Sequence, residues 1–172
     1  MIKVQDHWQK IVIVGFSGAG KSHLLREWSE SLMPSFLGLD LDDEMLKKYG
    51  KPEDKELGKF ISRVGFTEFR RLEKELLNSF LNQSSERLLI ALGGGAFDHD
   101  IQNITNENPS ILSLFLDTPF DICYERICQD TNRPLVQLGK AKLHELYLAR
   151  LEIYRLAKKI IRPEELKFID AL

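Results

Sequence analysis

Apolar runs and helical periodicities alternate along the chain, and this alternation predicts an α/β fold. Short runs rich in β-branched residues are typical of strands buried on both faces of a parallel sheet. Such runs occur at residues 11–14, 36–39, 88–92, 111–116 and 159–162. Between them, apolar residues recur with a period near 3.6, which predicts helices over residues 22–32, 44–49, 53–61, 67–81, 120–129 and 143–158, with a last helix opened by Pro163. We therefore predict a single domain over residues 1–172, built on a parallel sheet with helices on both faces.

The first predicted strand runs into a sequence that matches a phosphate-binding loop at every fixed position. Residues 15–22 read GFSGAGKS, which fits G-x-x-x-x-G-K-[ST], and a predicted helix follows. Glycine lets backbone N–H groups approach phosphate oxygens, and the helix N-terminus adds the positive end of its dipole. We expect Lys21 to reach the β- and γ-phosphates and Ser22 to ligate Mg²⁺. The alternative is a glycine turn with an exposed lysine, which the strand–loop–helix context disfavours.

This loop occurs in GTPases, ATPases and small-molecule kinases, so it does not identify the phosphoryl acceptor. The chain has no Asn-Lys-x-Asp motif of the kind that reads guanine, which argues against a GTPase. No predicted strand ends in the apolar run and acidic residue expected of a motor-type ATPase.

Charged residues follow the second predicted strand, in the region where parallel sheets bind ligands. Asp40 and Asp42 flank one leucine, so one carboxylate can face Mg²⁺ and the other an acceptor hydroxyl. The alternative is N-capping of the next helix by Asp42 or Asp43. Further along, Arg70 and Glu73 share a helix face, a spacing that more often means a surface ion pair.

Two further features point to an anionic ligand. Gly93, Gly94 and Gly95 follow the third predicted strand, which suggests close approach of a ligand to bare backbone; a flexible turn is the alternative. Arg133 lies in the polar segment 130–139, where we expect a mobile loop that could close over the γ-phosphate. A solvated arginine is the commoner role in such a loop.

Taken in order, the motifs resemble those of the shikimate kinase family. They are the phosphate loop, D-x-D, F-R-x-x-E, G-G-G, R-P-L and R-x-x-x-Y-x-x-A, and they span residues 11–162. The resemblance implies a three-layer α/β/α P-loop kinase fold with a five-stranded parallel sheet of order 2-3-1-4-5. It implies a core over about residues 10–162, a substrate-binding segment over about 40–75 and a mobile lid over about 130–140. The implied reaction is transfer of the γ-phosphoryl group of ATP to the 3-hydroxyl of shikimate, giving shikimate 3-phosphate and ADP.

The resemblance also implies roles for individual residues. Lys21, Asp42 and Arg133 would be catalytic, with Asp42 as base or orienter of the acceptor hydroxyl and Arg133 on the transferring phosphate. Ser22 and Asp40 would hold Mg²⁺, Asp40 mostly through water. ATP would be bound by Gly15, Ser17, Gly18, Ala19, Gly20, Lys21, Ser22, His23, Arg126, Arg133, Arg162 and Pro163. Shikimate would be bound by Asp42, Arg70, Glu73, Gly93, Gly94, Gly95 and Arg150.

Within these sets, the resemblance implies that arginines recognise the charged and aromatic parts of the two substrates. Arg70 and Arg150 would clamp the shikimate carboxylate, and Glu73 would fix the guanidinium of Arg70. Arginine suits this task because its planar fork binds a carboxylate through two parallel hydrogen bonds. Arg126 and the loop at residues 162–163 would sandwich the adenine ring.

The chain departs from the family pattern at three positions. His23 stands where a second hydroxyl residue is common, and its imidazole either donates to the α-phosphate or is packed or solvated. Phe66 replaces an acidic residue that usually follows Gly65, which predicts a looser helix start. Leu46 replaces a further acid that is often found after the D-x-D motif.

Composition limits the partners. The 172 residues include 24 Lys and Arg against 26 Asp and Glu, a net charge of −2. This leaves no basic excess to drive binding to nucleic acid or an anionic membrane. Two cysteines make neither a disulfide framework nor a zinc site, and no apolar segment is long enough to span a membrane. We expect a soluble cytoplasmic protein, and the family resemblance favours a monomer.

Two alternatives to shikimate phosphorylation remain at this point. A related P-loop kinase of another hydroxylated acid or polyol, similar to gluconate kinase, would share the phosphate-binding residues without requiring arginines at both positions 70 and 150. A non-catalytic nucleotide-binding regulatory module is the other alternative. The presence of Lys21, Asp42 and Arg133 argues against it.

Overall fold

The structure is a computed structural model that describes residues 7–32, 35–83, 86–129 and 135–168. Five strands form one parallel sheet in the order β2-β3-β1-β4-β5, as predicted. The strands are β1 (Lys10–Val14), β2 (Leu37–Asp40), β3 (Leu88–Ala91), β4 (Ile111–Leu116) and β5 (Lys159–Ile161).

Helices cover both faces of this sheet, which gives the predicted three layers. They are α1 (Lys21–Glu27), α2 (Leu41–Tyr49), α3 (Leu57–Val64), α4 (Phe66–Asn82), α5 (His99–Glu107), α6 (Phe120–Ile127) and α7 (Lys140–Tyr154). A turn of π-helix (Trp28–Leu32) extends α1, and two 3₁₀ helices occur at Val136–Leu138 and Pro163–Phe168. The terminal helix predicted at Pro163 is thus of the 3₁₀ type.

The three central strands are buried along their whole length, as their continuous apolar sequences predict. The one hydroxyl among them, on Ser113, accepts a hydrogen bond from the backbone N–H of Lys158 at 2.9 Å. The outer strands β2 and β5 expose residues such as Leu37 and Ile160. The core therefore lies around β1, β3 and β4, and the sheet edges carry less of it.

The register of the sheet brings three of the predicted motifs side by side. Asp40 on β2 and Ile13 on β1 both pair with Ala91 on β3. The phosphate loop, the D-x-D motif and the three glycines follow these strands directly. Because all the strands are parallel, these segments emerge at the same edge of the sheet.

The helix α5 is absent from the sequence-based prediction. Its sequence is rich in Asn and Thr, which have weak helix propensity. Two features stabilise α5 instead. Asp98 is its N-cap, with Oδ1 accepting from the backbone N–H of Ile101 at 2.9 Å, and Ile101 and Thr105 are buried. The cap and the buried face supply what the local propensity lacks.

Other differences are small. The helix expected over residues 143–158 begins three residues earlier, at Lys140, and ends at Tyr154.

Both cysteines are free, which agrees with the expectation of no disulfide framework. Residues 130–134 lie outside the described part of the chain, so Arg133 and half of the predicted lid receive no structural account. Among the described residues, no helix is long and apolar enough to cross a membrane.

Asp98→Ala is expected to lower the free energy of unfolding by about 1 kcal/mol, because the first turn of α5 loses its cap. Asp98→Asn keeps an oxygen acceptor and should cost only a few tenths of a kcal/mol. Both variants remove the ion pair between Asp98 and Lys74, 3.3 Å apart, so their difference reports the cap alone. Urea unfolding at pH 7 measures both. Asp100→Ala is the control, because it removes another ion-pair partner of Lys74 without touching the cap. If the two Asp98 variants lost equal amounts of unfolding free energy, the capping role would be contradicted.

Candidate active site

The phosphate loop, residues 15–20, lies directly on α6. Gly18 and Gly20 have φ values of +81° and +105°, a region that side-chain-bearing residues rarely adopt. A Cβ atom on Gly18 would lie 2.5 Å from the carbonyl oxygen of Cys123. Glycine is therefore required at residue 18 both for its backbone conformation and for the space beside it.

Thr118 holds the loop from the end of β4. A threonine directly before Pro119 is typical of a helix N-cap, but Pro119 itself occupies that position of α6, and the helix has no side-chain cap. Instead, Oγ1 of Thr118 donates to the carbonyl oxygen of Ala19 at 2.9 Å. The carbonyl of Thr118 in turn accepts from the hydroxyl of Tyr147 on α7, at 3.1 Å. A chain of two hydrogen bonds thus connects α7 with the phosphate loop.

Arg126 contacts the same loop from α6. Its Nη1 donates to the carbonyl oxygens of Gly18 and Ala19, at 3.0 and 3.2 Å. The carbonyl oxygens of Gly18 and Ala19 are therefore hydrogen-bonded to side chains of the protein. The structure places this predicted adenine-binding residue at the nucleotide-binding loop.

Lys21, the first residue of α1, carries a charge in a partly desolvated position. Its Nζ donates to the carbonyl oxygen of Phe16 at 2.9 Å. Burial lowers the pKa of Lys21 from 10.5 to about 8, and the nearby carboxylates of Asp42 and Asp40 limit that shift. An anionic phosphate group beside this ammonium would favour its charged form.

Ser22 and Asp40 offer oxygen ligands suited to a magnesium ion. Oγ of Ser22 donates to Oδ2 of Asp40 at 2.5 Å. Asp40 is also the N-cap of α2, because its Oδ1 accepts from the backbone N–H of Asp42 at 3.1 Å. The cap is therefore not Asp42 or Asp43, the residues that the sequence had left open for this role. Among the described residues, no group of three or more His, Cys, Asp or Glu side chains could hold a metal ion.

The glycine triplet, residues 93–95, is surrounded by charged side chains. A Cβ atom on its first residue would lie 2.8 Å from Oδ1 of Asp42 and 2.9 Å from Oε1 of Glu73. On the second residue it would lie 3.0 Å from Nη1 of Arg150, and on the third it would overlap the guanidinium of Arg70. None of the three glycines has a left-handed φ, so they provide space and not an unusual conformation. The flexible-turn alternative is therefore not needed to explain them.

Asp42 and Glu73 are carboxylates in a desolvated environment. Burial raises the pKa of Asp42, the charge of Asp40 raises it further, and Lys21 and Arg70 oppose the change. Burial also raises the pKa of Glu73, and Arg70 opposes that shift. Both groups are thus better proton acceptors than carboxylates in water, while the adjacent cations favour their ionised forms.

Arg70 and Glu73 form an ion pair on α4, as the resemblance implied. Nη1 of Arg70 donates to Oε2 of Glu73, whose side chain is 3% exposed. The other carboxylate oxygen, Oε1, is buried and finds no hydrogen-bond partner among the described residues. It faces the glycine triplet. A surface ion pair, the commoner meaning of this spacing, does not describe this arrangement.

Arg150, on α7, also borders the triplet. Its Nη1 is buried and is likewise without a partner among the described residues. Burial lowers the pKa of Arg150. Its guanidinium lies 5.6 Å from the ring centroid of Phe16. The site therefore presents one unpaired anionic oxygen and one unpaired cationic N–H group near the same stretch of backbone.

Tyr154 supports both sides of this arrangement, although the sequence assigned it no role. Its hydroxyl donates to the carbonyl oxygen of Gly94 and lies beside the guanidinium of Arg150. Burial raises the pKa of Tyr154 to about 12. The signal in the sequence was the spacing of Arg150 and Tyr154, which puts them one helical turn apart on the same face.

Three further residues predicted to bind the nucleotide, His23, Arg162 and Pro163, lie on α1 and directly after β5. The side chain of His23 is 79% exposed on the first turn of α1, with Nε2 4.0 Å from Oε2 of Glu27. Arg162 is exposed after β5, and its backbone N–H donates to Oε2 of Glu165 at 2.8 Å. Pro163 begins the 3₁₀ helix that follows.

Comparison with known proteins agrees with this site. A family model described as shikimate kinase matches residues 17–168. The chain belongs to the shikimate kinase family. The shikimate kinase of Persephonella marina is 32% identical over 156 residues, which cover 91% of this chain and 90% of that protein. The structure of the shikimate kinase from Acinetobacter baumannii in complex with shikimate superposes with a TM-score of 0.76 at 29% identity, covering 90% of this chain and 83% of that one.

Membership of the shikimate kinase family makes the chain an ATP-dependent kinase, a transferase that acts on a hydroxyl group. The family expected from the motifs is therefore confirmed. A gluconokinase from Sinorhizobium meliloti also superposes, with a TM-score of 0.56 at 18% identity, over 92% of this chain and 83% of that one. That likeness concerns the fold alone.

Replacing Lys21 should increase stability while removing the cation of the phosphate loop. At pH 7, below both the folded pKa of about 8 and the usual 10.5, the folded state bears the full cost of desolvating the ammonium. We expect Lys21→Met to raise the free energy of unfolding by about 2 kcal/mol there. Above pH 8 the folded protein loses this proton before the unfolded chain does, so the advantage should shrink towards pH 10.5.

Urea unfolding of both proteins at pH 7, 9 and 10 measures this difference. Lys21→Arg retains a cation throughout that range and is the control, expected to gain no stability. If Lys21→Met were no more stable than the wild type at pH 7, the ammonium would not be desolvated as described.

Proposed function

We propose that this protein transfers the γ-phosphoryl group of ATP to the 3-hydroxyl of shikimate. The observation that carries the proposal is a pair of buried atoms beside the glycine triplet, Oε1 of Glu73 and Nη1 of Arg150, neither of which has a hydrogen-bond partner among the described residues. Buried polar atoms are nearly always hydrogen-bonded, so this pair calls for a ligand with both a donor and an anionic acceptor. Shikimate, with three hydroxyls and one carboxylate, has both. The structure of the A. baumannii relative in complex with shikimate supports this choice.

The acceptor is held by groups that differ in charge. Arg70 and Arg150 bind its carboxylate, and a ring hydroxyl donates to Oε1 of Glu73. The backbone of the glycine triplet lines the ring at close range, because no Cβ atoms intervene. Binding then satisfies the two buried atoms and offsets their desolvation.

ATP is held on the other side of Asp42. The phosphate loop binds its phosphates, with Lys21 at the β- and γ-phosphates and His23 on the nucleotide side of α1. Ser22 and Asp40 hold Mg²⁺, Asp40 mostly through water, and the ion supplies charge neutralisation on the phosphates when bound. We assign the adenine to Arg126, Arg162 and Pro163, and the transferring phosphoryl group to Arg133.

Asp42 orients the 3-hydroxyl and accepts its proton as the new oxygen–phosphorus bond forms and the bond to the departing ADP oxygen breaks. A pKa raised by burial makes this carboxylate a stronger base than an exposed aspartate. Lys21 and Arg70 keep it ionised, because each favours the negative charge. Asp42 is therefore suited to act as the base near neutral pH.

The function is tested by ADP release from purified protein with Mg-ATP and each of shikimate, gluconate or no acceptor. We expect ADP release that depends on shikimate, with one shikimate 3-phosphate formed per ADP. Gluconate-dependent release would favour the related-kinase alternative. Nucleotide binding with no turnover on either acceptor would favour the regulatory module.

Asp42→Asn should reduce kcat by about 10²- to 10⁴-fold, because the amide keeps the shape of the carboxylate but accepts no proton. ATP affinity should change little, as measured by isothermal titration. In the wild type, kcat should fall as pH decreases through the raised pKa of Asp42, and this limb should be absent from the residual activity of the variant. Asp43→Asn, at the next position of α2, is the matched control and should retain wild-type kcat. Wild-type turnover by Asp42→Asn would remove Asp42 as the base.

A further inference from the structure

Phe66 is the most exposed of the large hydrophobic residues that the structure describes, at 61%, yet its ring has a specific neighbour. It is the first residue of α4 and lies one turn before Arg70. The Cζ atom of Arg70 lies 4.9 Å from the ring centroid of Phe66 and 5.2 Å from that of Phe69. Both distances are within the range of cation–π interactions.

Arg70 contacts polar groups and aromatic rings at once. Its Nη1 donates to Glu73, and the guanidinium also lies against the backbone of Gly95. The guanidinium carbon lies over the rings of Phe66 and Phe69, and a planar guanidinium can stack on an aromatic ring through its own face. A ring on the face leaves the in-plane N–H donors available to a carboxylate. Stacking and carboxylate binding are therefore compatible in the same side chain.

The two rings differ in what else they do. Phe69 is 3% exposed and packs edge-on against Phe60, so it belongs to the core. Phe66 has no such packing role at its exposure, and its ring lies 6.4 Å from that of Phe69. Phe66 does not cap the helix either, because the N-terminus of α4 has no side-chain cap. The contact with Arg70 is thus the distinguishing interaction of the Phe66 ring.

We propose that Phe66 is a positioning residue, which holds the guanidinium of Arg70 in the orientation that receives the acceptor carboxylate. This inference rests on the proposed function, in which Arg70 binds the shikimate carboxylate. An unrestrained arginine side chain loses rotamer freedom when it binds a ligand, and prior ordering removes part of that cost. The ring restrains the face of the guanidinium while Glu73 restrains one edge, so the free donors are presented in one direction.

Steady-state kinetics with three variants tests the proposal. Phe66→Leu keeps an apolar side chain without the π face, Phe66→Tyr keeps the π face, and Phe80→Leu makes the same change at the far end of α4. We expect Phe66→Leu to raise the KM for shikimate about two- to fivefold, the range given by an exposed cation–π contact. The kcat and the KM for ATP should not change. Phe66→Tyr should restore the wild-type KM, and Phe80→Leu should leave both KM values unchanged.

A purely structural role would give another pattern. If Phe66→Leu raised both KM values alike, or if Phe66→Tyr failed to restore the KM for shikimate, the positioning role would be wrong. An unchanged KM for shikimate in Phe66→Leu would also overturn it.

A second measurement separates this inference from the proposed function. In the protein without substrates, the Nε–H resonance of Arg70, assigned by comparison with Arg70→Lys, should carry a ring-current shift from the stacked ring. The shift should be reduced in Phe66→Leu and retained in Phe66→Tyr and Phe80→Leu. An unmoved resonance in Phe66→Leu would overturn the inference whatever the acceptor. If the wild type released no ADP with shikimate, the proposed function would fail, and this resonance would still decide whether Phe66 orients Arg70.

Discussion

The closeness of the charged groups in this protein depends on a stretch of backbone without side chains. The glycine triplet at the end of β3 has no left-handed φ, so alanine could adopt the backbone conformation at each position. The side chain of alanine would not fit, however. A Cβ atom at these positions would lie within about 3 Å of side-chain atoms of Asp42, Glu73, Arg70 or Arg150. Groups from α2, α4 and α7 can therefore lie within a few ångströms of one main chain. A single Cβ atom would push one of them out of the cluster.

This closeness has an electrostatic cost that the cluster itself limits. Burial raises the pKa of Asp42 and Glu73 and lowers the pKa of Lys21 and Arg150, so each group is driven towards its neutral form. Each also has an opposite charge nearby that favours the ionised form. Such opposed shifts in a concave, partly desolvated region are typical of catalytic sites.

The sequence predicted the sheet and much of the candidate site because both are encoded in short stretches of chain. A buried strand followed by a polar motif specifies where Asp40, Asp42 and the glycine triplet lie once the strands are parallel. The helix α5 was not predictable in this way, because its local propensity is weak and burial of its inner face supplies the stability.

The contacts that hold the site together were also beyond the sequence. Thr118 looks like a helix cap until its hydroxyl is seen to bind Ala19, which is 99 positions away in the chain. Tyr154 likewise contacts Gly94 across 60 positions. Phe66 is a different case: its place in the sequence predicts an effect on the start of α4, whereas its contact with the guanidinium of Arg70 depends on side-chain orientations that the sequence does not specify.

The helix α7 has a consequence for how the two substrates influence each other. Tyr147 and Arg150 are three residues apart on it; the first is joined through Thr118 to the phosphate loop, and the second borders the acceptor side of the glycine triplet. A helix is stiff over such a distance, so a displacement at one of these residues is transmitted to the other. To the extent that either ligand shifts α7, linkage requires the resulting change in affinity to be reciprocal: acceptor binding alters ATP affinity by the same factor by which ATP alters acceptor affinity. One continuous helix thus connects the donor side of the site with the acceptor side.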